Sequence, residues 1–201
     1  QRSKLVRKND RVPHLLSMTA TPIPRTLALT IYGDLDLTLL DQMPSGRKPI
    51  ITELVTEQDR VKIYEKIRTE LQAGRQAYII CPRIDPADSG TSEPLSFQKI
   101  MASQLKSARS EQKRLQDKIF TEFRVGLVHS KLKPKDKDRI MKEFSDHEID
   151  ILVATSVVEV GVNVPNATMI MIEGAERFGL AQLHQLRGRV IRSNHQAYCF
   201  V

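Results

Sequence analysis

Gln185, Arg189 and Arg192 stand at positions i, i+4 and i+7 of one stretch, Leu180 to Arg192. On a helix they would lie within about 60° of one another, with Leu180, Leu183, Leu186 and Val190 on the opposite face. Two guanidiniums one turn apart beside a carboxamide can hold a transferring phosphoryl group, because fixed planar charges stabilise its spreading negative charge. A solvated basic face that binds nothing explains the same spacing equally well. Arg187 falls toward the apolar side and reads as a structural ion-pair partner. A second candidate is the apolar run that ends at Thr155-Ser156, whose hydroxyls and amides suit a phosphate. Glu159, Gly161 and Asn163 follow on a short turn, where the glycine suggests positive φ or close backbone approach. Ordinary strand-to-turn packing would look the same. The third candidate is Thr19-Ala20-Thr21 before Pro22 and Pro24, where hydroxyls at a strand end can relay a hydrogen-bond change; a capped turn is the plainer account.

The elements that must position these residues follow from the apolar pattern. The stretch ending at Thr21 reads as strand, special loop and helix, and residues 34–49, with Pro44-Ser45-Gly46, as a connector between two domains. The boundary is set between residues 1–45 and 46–201. A strand over 50–55 leads to a helix in which Val61, Tyr64, Ile67 and Leu71 repeat every three or four residues before Gly74. Gln76–Cys81 reads as a buried strand, residues 85–96 as a loop, and residues 97–120 as a mostly polar, solvated helix or pair. Strands over 125–130, 149–154, 169–172 and 197–201 alternate with helices over 134–144 and 179–192, the former started by Pro134. Apolar strands alternating with helices imply parallel strands, right-handed crossovers and a three-layer α/β sandwich with a mostly parallel sheet. Ligands of such sheets sit beyond the carboxyl ends of the strands, where the second candidate falls.

Composition narrows the chemistry. Among 201 residues, 31 Lys and Arg exceed 24 Asp and Glu to give a charge of +7, which favours a polyanion such as nucleic acid. With four Tyr, six Phe and no Trp, a base-stacking platform is disfavoured, so the grip should fall on phosphates. The two cysteines, Cys81 and Cys199, have no metal-ligand spacing, so neither a zinc site nor a disulfide framework is expected. No apolar run approaches the roughly 20 residues of a membrane span, and a cytoplasmic protein is expected.

Read in order, the three candidates resemble the third, fifth and sixth motifs of superfamily 2 helicases. Met18 to Thr26, residues 34–47 and Gly179 to Arg189 are most similar to the RecG family of bacterial DNA helicases, with Mfd-type translocases as near relatives. The resemblance implies a pair of RecA-like lobes with ATP between them and DNA across both. Residues 1–45 would be the end of the first lobe and 46–201 the second. Arg189 and Arg192 would reach the γ-phosphate, with Gln185 before them. Thr155 and Ser156 would contact the DNA backbone, as would Arg83 where the fourth motif begins. Thr19 and Thr21, with Glu159, Gly161 and Asn163, would face nucleotide and couple hydrolysis to DNA movement. Asn163 stands where the family usually has Asp, and Ile191 where it usually has Gly. No GxxxxGK[ST] loop or acidic box precedes Thr19, so ATP with Mg²⁺ would be bound mainly by a first lobe outside this sequence, with no metal held here. The implied whole is a monomeric ATP-dependent translocase that remodels branched or forked DNA in recombination and repair, with this piece inactive alone. The alternatives are an Mfd-like transcription-repair coupling translocase and a non-catalytic basic nucleic-acid-binding module.

Overall fold

Uninterrupted apolar runs make strands buried on both faces, and these strands build the centre of the molecule. In the computed structural model the described residues are 38, 40, 46–82, 107–129, 131–155, 164–190 and 194–201. Every element among them lies in one unit, Leu40–Val201. The order is β1 (Ile51–Glu53), α1 (Arg60–Gln72), β2 (Gln76–Cys81), α2 (107–114, continuing as a π turn over Leu115–Ile119), β3 (Val125–Val128), α3 (Pro134–Ser145), β4 (Ile151–Thr155), β5 (Ala167–Ile172), α4 (Leu180–Arg187) and β6 (Tyr198–Phe200). The six strands form one sheet, β1-β6-β5-β2-β4-β3, in which every pairing is parallel.

Parallel strands need crossovers, and four of those here bring a described helix to a defined face. Moves from β1 to β2 and from β2 to β3 run one way across the sheet and carry α1 and α2. Ile63, Tyr64, Ile67 and Leu71 of α1 and Ala108 and Leu115 of α2 pack with Ala77, Ile79 and Cys81. The return moves from β3 to β4 and from β5 to β6 carry α3 and α4. Met141, Phe144, Leu186 and Val190 cover the opposite face with Tyr78, Ile80, Leu152, Ile170 and Cys199. The two faces divide the strand residues by their period of two. The chain therefore winds in opposite directions from β2 and β5, which are neighbours, and a crevice opens between their carboxyl ends.

Two glutamines take on backbone work that spacing does not advertise. The amide of Gln76, fully buried at the start of β2, donates to the carbonyls of Phe144 (2.6 Å) and Ile149 (2.7 Å). From α2, Gln116 accepts from the Val125 N–H at 2.9 Å and Gln112 donates to the Val125 carbonyl at 2.9 Å, so the free side of the edge strand β3 is partly covered.

Three expectations need correction. Val61 is 69% exposed, and Ile63 takes the core position on α1. Residues 107–114 are not a solvated face: Ala108 is fully buried and Glu111, Gln112 and Arg114 are half-buried against α1 and β3. The last helix is not α-helical throughout; its α-helical part stops at Arg187, and Gly188–Val190 continue as a 3₁₀ turn. Gly188 caps α4 through bonds to the His184 and Leu186 carbonyls, and this tightening is invisible to an apolar periodicity that continues through Val190.

Candidate phosphate and nucleic-acid site

The carboxyl edge of the sheet is a row of residues set by strand register. Thr155 pairs with Cys81, and Ala154 with Val128, so His129, Thr155 and Cys81 follow one another across β3, β4 and β2. The Glu173 N–H donates to the Ile80 carbonyl at 2.9 Å, which places the end of β5 next in the row. Thr155 is only 5% exposed at the end of β4. His129 is buried too; its Nδ1 accepts from the Lys131 N–H at 3.2 Å. Burial, then the nearby Arg109 and Lys131 charges, lowers its pKa from the ordinary 6.5 and favours the neutral ring. Beside it Lys131, Lys133, Lys135 and Arg139 are exposed on α3 and its leading turn.

A cleft of about 610 Å³ opens at the β2/β5 crevice. Arg60, Arg114 and Arg177 line it with Glu111, Glu173 and Glu176, over Cys81. The charges are paired: Arg60 binds Glu173, Arg114 forks onto Glu111 at 2.7 and 3.0 Å, and Arg177 lies 3.7 Å from Glu176. Tyr64 joins the first two pairs, its hydroxyl accepting from Arg60 Nε at 2.9 Å and Arg114 Nη2 at 2.7 Å. Burial works against the Arg60 charge, but Tyr64 and Glu173 overcome it and raise its pKa. Glu111 holds Arg114 further up still. Burial, with Glu111 and Glu173 adding to it, pushes the Cys81 thiol up to about 12, so the thiolate is absent from the cleft at neutral pH. Tyr64 is legible in the sequence only as an apolar position of α1, and Arg60, Arg114 and Glu173 are not legible as site residues at all; Arg60 and Tyr64 at i and i+4 and Glu111 and Arg114 at i and i+3 are the local traces.

The arginine turn lies at the other end of the β5–α4 connection. After Glu173 the chain turns through left-handed Gly174 (φ +59°), passes the 3₁₀ turn Ala175–Arg177, buries Phe178 and enters α4. Leu186 (5% exposed) and Val190 (1%) fix the turn to the sheet, whereas Leu180 is 83% exposed, contrary to the expected apolar stripe. With the last two steps in 3₁₀ geometry, Gln185 and Arg189 lie about 80° apart around the axis instead of the roughly 40° of an unbroken helix. Gln185 is exposed and Arg189 half-buried. Arg187 meets the His184 ring at 3.3 Å, and among the described residues no carboxylate pairs with it, contrary to the ion-pair expectation. Gly188 has ordinary helical φ, and a Cβ there would meet nothing within 4 Å. Thr19, Thr21, Arg83, Ser156, Glu159, Gly161, Asn163 and Arg192 lie outside the described residues.

Among the described residues no three His, Cys, Asp or Glu side chains converge to hold a metal, and no helix is long and apolar enough to cross a membrane.

Comparison with known proteins identifies the architecture. The chain is 50% identical over 201 residues to the ATP-dependent DNA helicase RecG of Synechocystis sp., covering 100% of this chain and 22% of that protein. It is 48% identical over 207 residues to that of Treponema pallidum, covering 100% and 28%. The chain thus spans roughly a quarter of the length of the curated relatives it matches. A solved RecG bound to a three-way DNA junction superposes with a TM-score of 0.69 at 45% identity, covering 90% of this chain and 22% of that one. Domain 2 of the DEAD-box helicase Mss116p, bound to an RNA duplex, shares the fold at 18% identity and a TM-score of 0.52, over 75% and 51% of the two chains. The model of the helicase conserved C-terminal domain matches residues 59–194, and its span takes in β2 to β5, the cleft and the arginine turn. With its parallel six-stranded sheet and its RecG-like sequence from end to end, the chain belongs to the helicase conserved C-terminal domain family.

Proposed function

We propose that the chain is the second motor lobe, with the end of the first, of an ATP-dependent DNA helicase of the RecG type that acts on branched or forked DNA. The observation that carries the reading is the likeness to RecG along the whole chain, arginine turn included. In this reading Arg189, on a turn seated against the sheet by Leu186 and Val190, and Arg192 reach the γ-phosphate of ATP bound chiefly by the first lobe, and Gln185 precedes them. Seating the turn on a packed sheet orients guanidiniums before reaction, which is how such charges lower a phosphoryl-transfer barrier. Mg²⁺ comes with the nucleotide; when bound it neutralises phosphate charge.

Thr155, at the carboxyl edge, contacts the DNA backbone, as do Ser156 and Arg83. Thr19, Thr21, Glu159, Gly161 and Asn163 link nucleotide and DNA. The charge of +7 supports phosphate contact. The division at residues 45 and 46, a monomeric state, action in recombination and repair, and a cytoplasmic site complete the proposal. ATP turnover by the full-length protein tests it: forked DNA should raise the rate by about tenfold or more, and the 201-residue chain alone should show none. Fork binding without stimulated turnover would favour the non-catalytic basic module.

A further inference from the structure

We infer that Glu173 is a positioning residue for the arginine turn, held by a side-chain relay that runs from α2 across the β2/β5 cleft. The inference rests on the motor reading above and concerns residues outside the three candidate motifs of the sequence. The relay has five members. Glu111 grips Arg114 at 2.7 and 3.0 Å; Arg114 donates to the Tyr64 hydroxyl at 2.7 Å; Arg60 donates to the same hydroxyl at 2.9 Å and pairs with Glu173. Both guanidiniums also lie against the Tyr64 ring, at 5.9 and 5.7 Å from its centroid. The ring is locked edge-on against Phe120 at 5.7 Å, so the relay stands on the core.

What the relay fixes is the first residue after β5. The Glu173 backbone is already bonded to Ile80, and its side chain, 18% exposed, is held by Arg60. The next residue is left-handed Gly174, where an added Cβ would come within 3.0 Å of the Pro82 ring. The turn therefore takes only glycine, and the direction in which the chain leaves it sets where α4, and after it Arg189, begins. The pair is half-buried at the mouth of the turn, and what it fixes there is geometry. Small displacements of a catalytic cation cost rate without costing binding, which separates this role from a merely structural one.

The test uses the full-length protein and measures fork-stimulated kcat, KM for ATP, fork affinity and melting temperature. Glu173→Gln and Arg60→Gln should each lower kcat about tenfold. KM and fork affinity should stay within about twofold, and the melting temperature within about 2 °C. The double variant should be no worse than either single, because one pair is lost once, and the exchanged pair Arg60→Glu with Glu173→Arg should recover most of the rate. Wild-type kcat in the single variants would overturn the inference while leaving the motor reading intact. So would losses that add in the double variant and track a fall in melting temperature. A wild-type protein that forked DNA does not stimulate would overturn both.

Discussion

Replacing Gln76 by leucine tests whether backbone satisfaction, more than apolar volume, anchors the central strand. The side chain is fully buried, and its amide serves two carbonyls, those of Phe144 and Ile149. Phe144 sits at the end of α3 and keeps its bonds from the Asp146 and His147 N–H groups, so there the loss is one hydrogen bond, about 0.5–1.5 kcal/mol. The Ile149 carbonyl loses its side-chain donor inside the protein, which costs about 1–3 kcal/mol. Against this, leucine removes the Gln76 carbonyl oxygen, which is buried without a partner among the described residues, and returns about 1 kcal/mol. The net loss is about 2 kcal/mol, or about 4–8 °C in melting temperature for a unit of this size. Gln76→Glu should be worse at neutral pH, because a carboxylate would face two carbonyl oxygens. Urea titration of the 201-residue chain and its two variants measures this. A leucine variant within about 0.5 kcal/mol of wild type would refute the reasoning.

Three further outcomes follow from the same structure. Because the folded state lowers the His129 pKa, the unfolded chain binds the proton more tightly; stability should hold above the ordinary 6.5 and fall as pH drops below it, and His129→Gln should flatten that slope in denaturant titrations. Gly188→Ala should leave the melting temperature unchanged or raise it, since helical φ and open space suit alanine there, but should reduce fork-stimulated ATPase if nucleotide or another lobe approaches that backbone; undiminished turnover would remove that role. Cys81 and Cys199, pushed up to about 12 and about 11 mainly by burial, should resist a thiol reagent at pH 8 until the chain is denatured; rapid labelling of the folded chain would contradict their burial.

The sheet was legible where one physical term dominates. Gln76–Cys81 is buried at every position and so reads as a strand without ambiguity, and Pro134 announces the start of α3. Errors arose where two terms compete. Val61 and Ile63 are both apolar and two residues apart, and only the packing of α1 decides which goes inside. Around Arg189 the apolar period continues while the backbone tightens at Gly188, so the spacing of Gln185 and Arg189 on a helix was right as sequence and wrong as geometry. The relay of Glu111, Arg114, Tyr64, Arg60 and Glu173 left almost no trace, since Glu173 meets Arg60 across 113 residues and no period links them. The place of Thr155 at the carboxyl edge was legible because an apolar run that ends in a hydroxyl residue is itself a local signal.

The central claim is that this lobe supplies a guanidinium to phosphoryl transfer and does not merely grip DNA. Comparison of wild type and Arg189→Ala in the full-length protein tests it directly, with ATP turnover on saturating forked DNA measured beside the salt dependence of fork binding. The account predicts that turnover falls about 1,000-fold while affinity and salt slope stay as they were. Retained turnover per bound fork, with weaker binding and a shallower salt slope, would contradict it and make the arginine turn a phosphate grip on DNA.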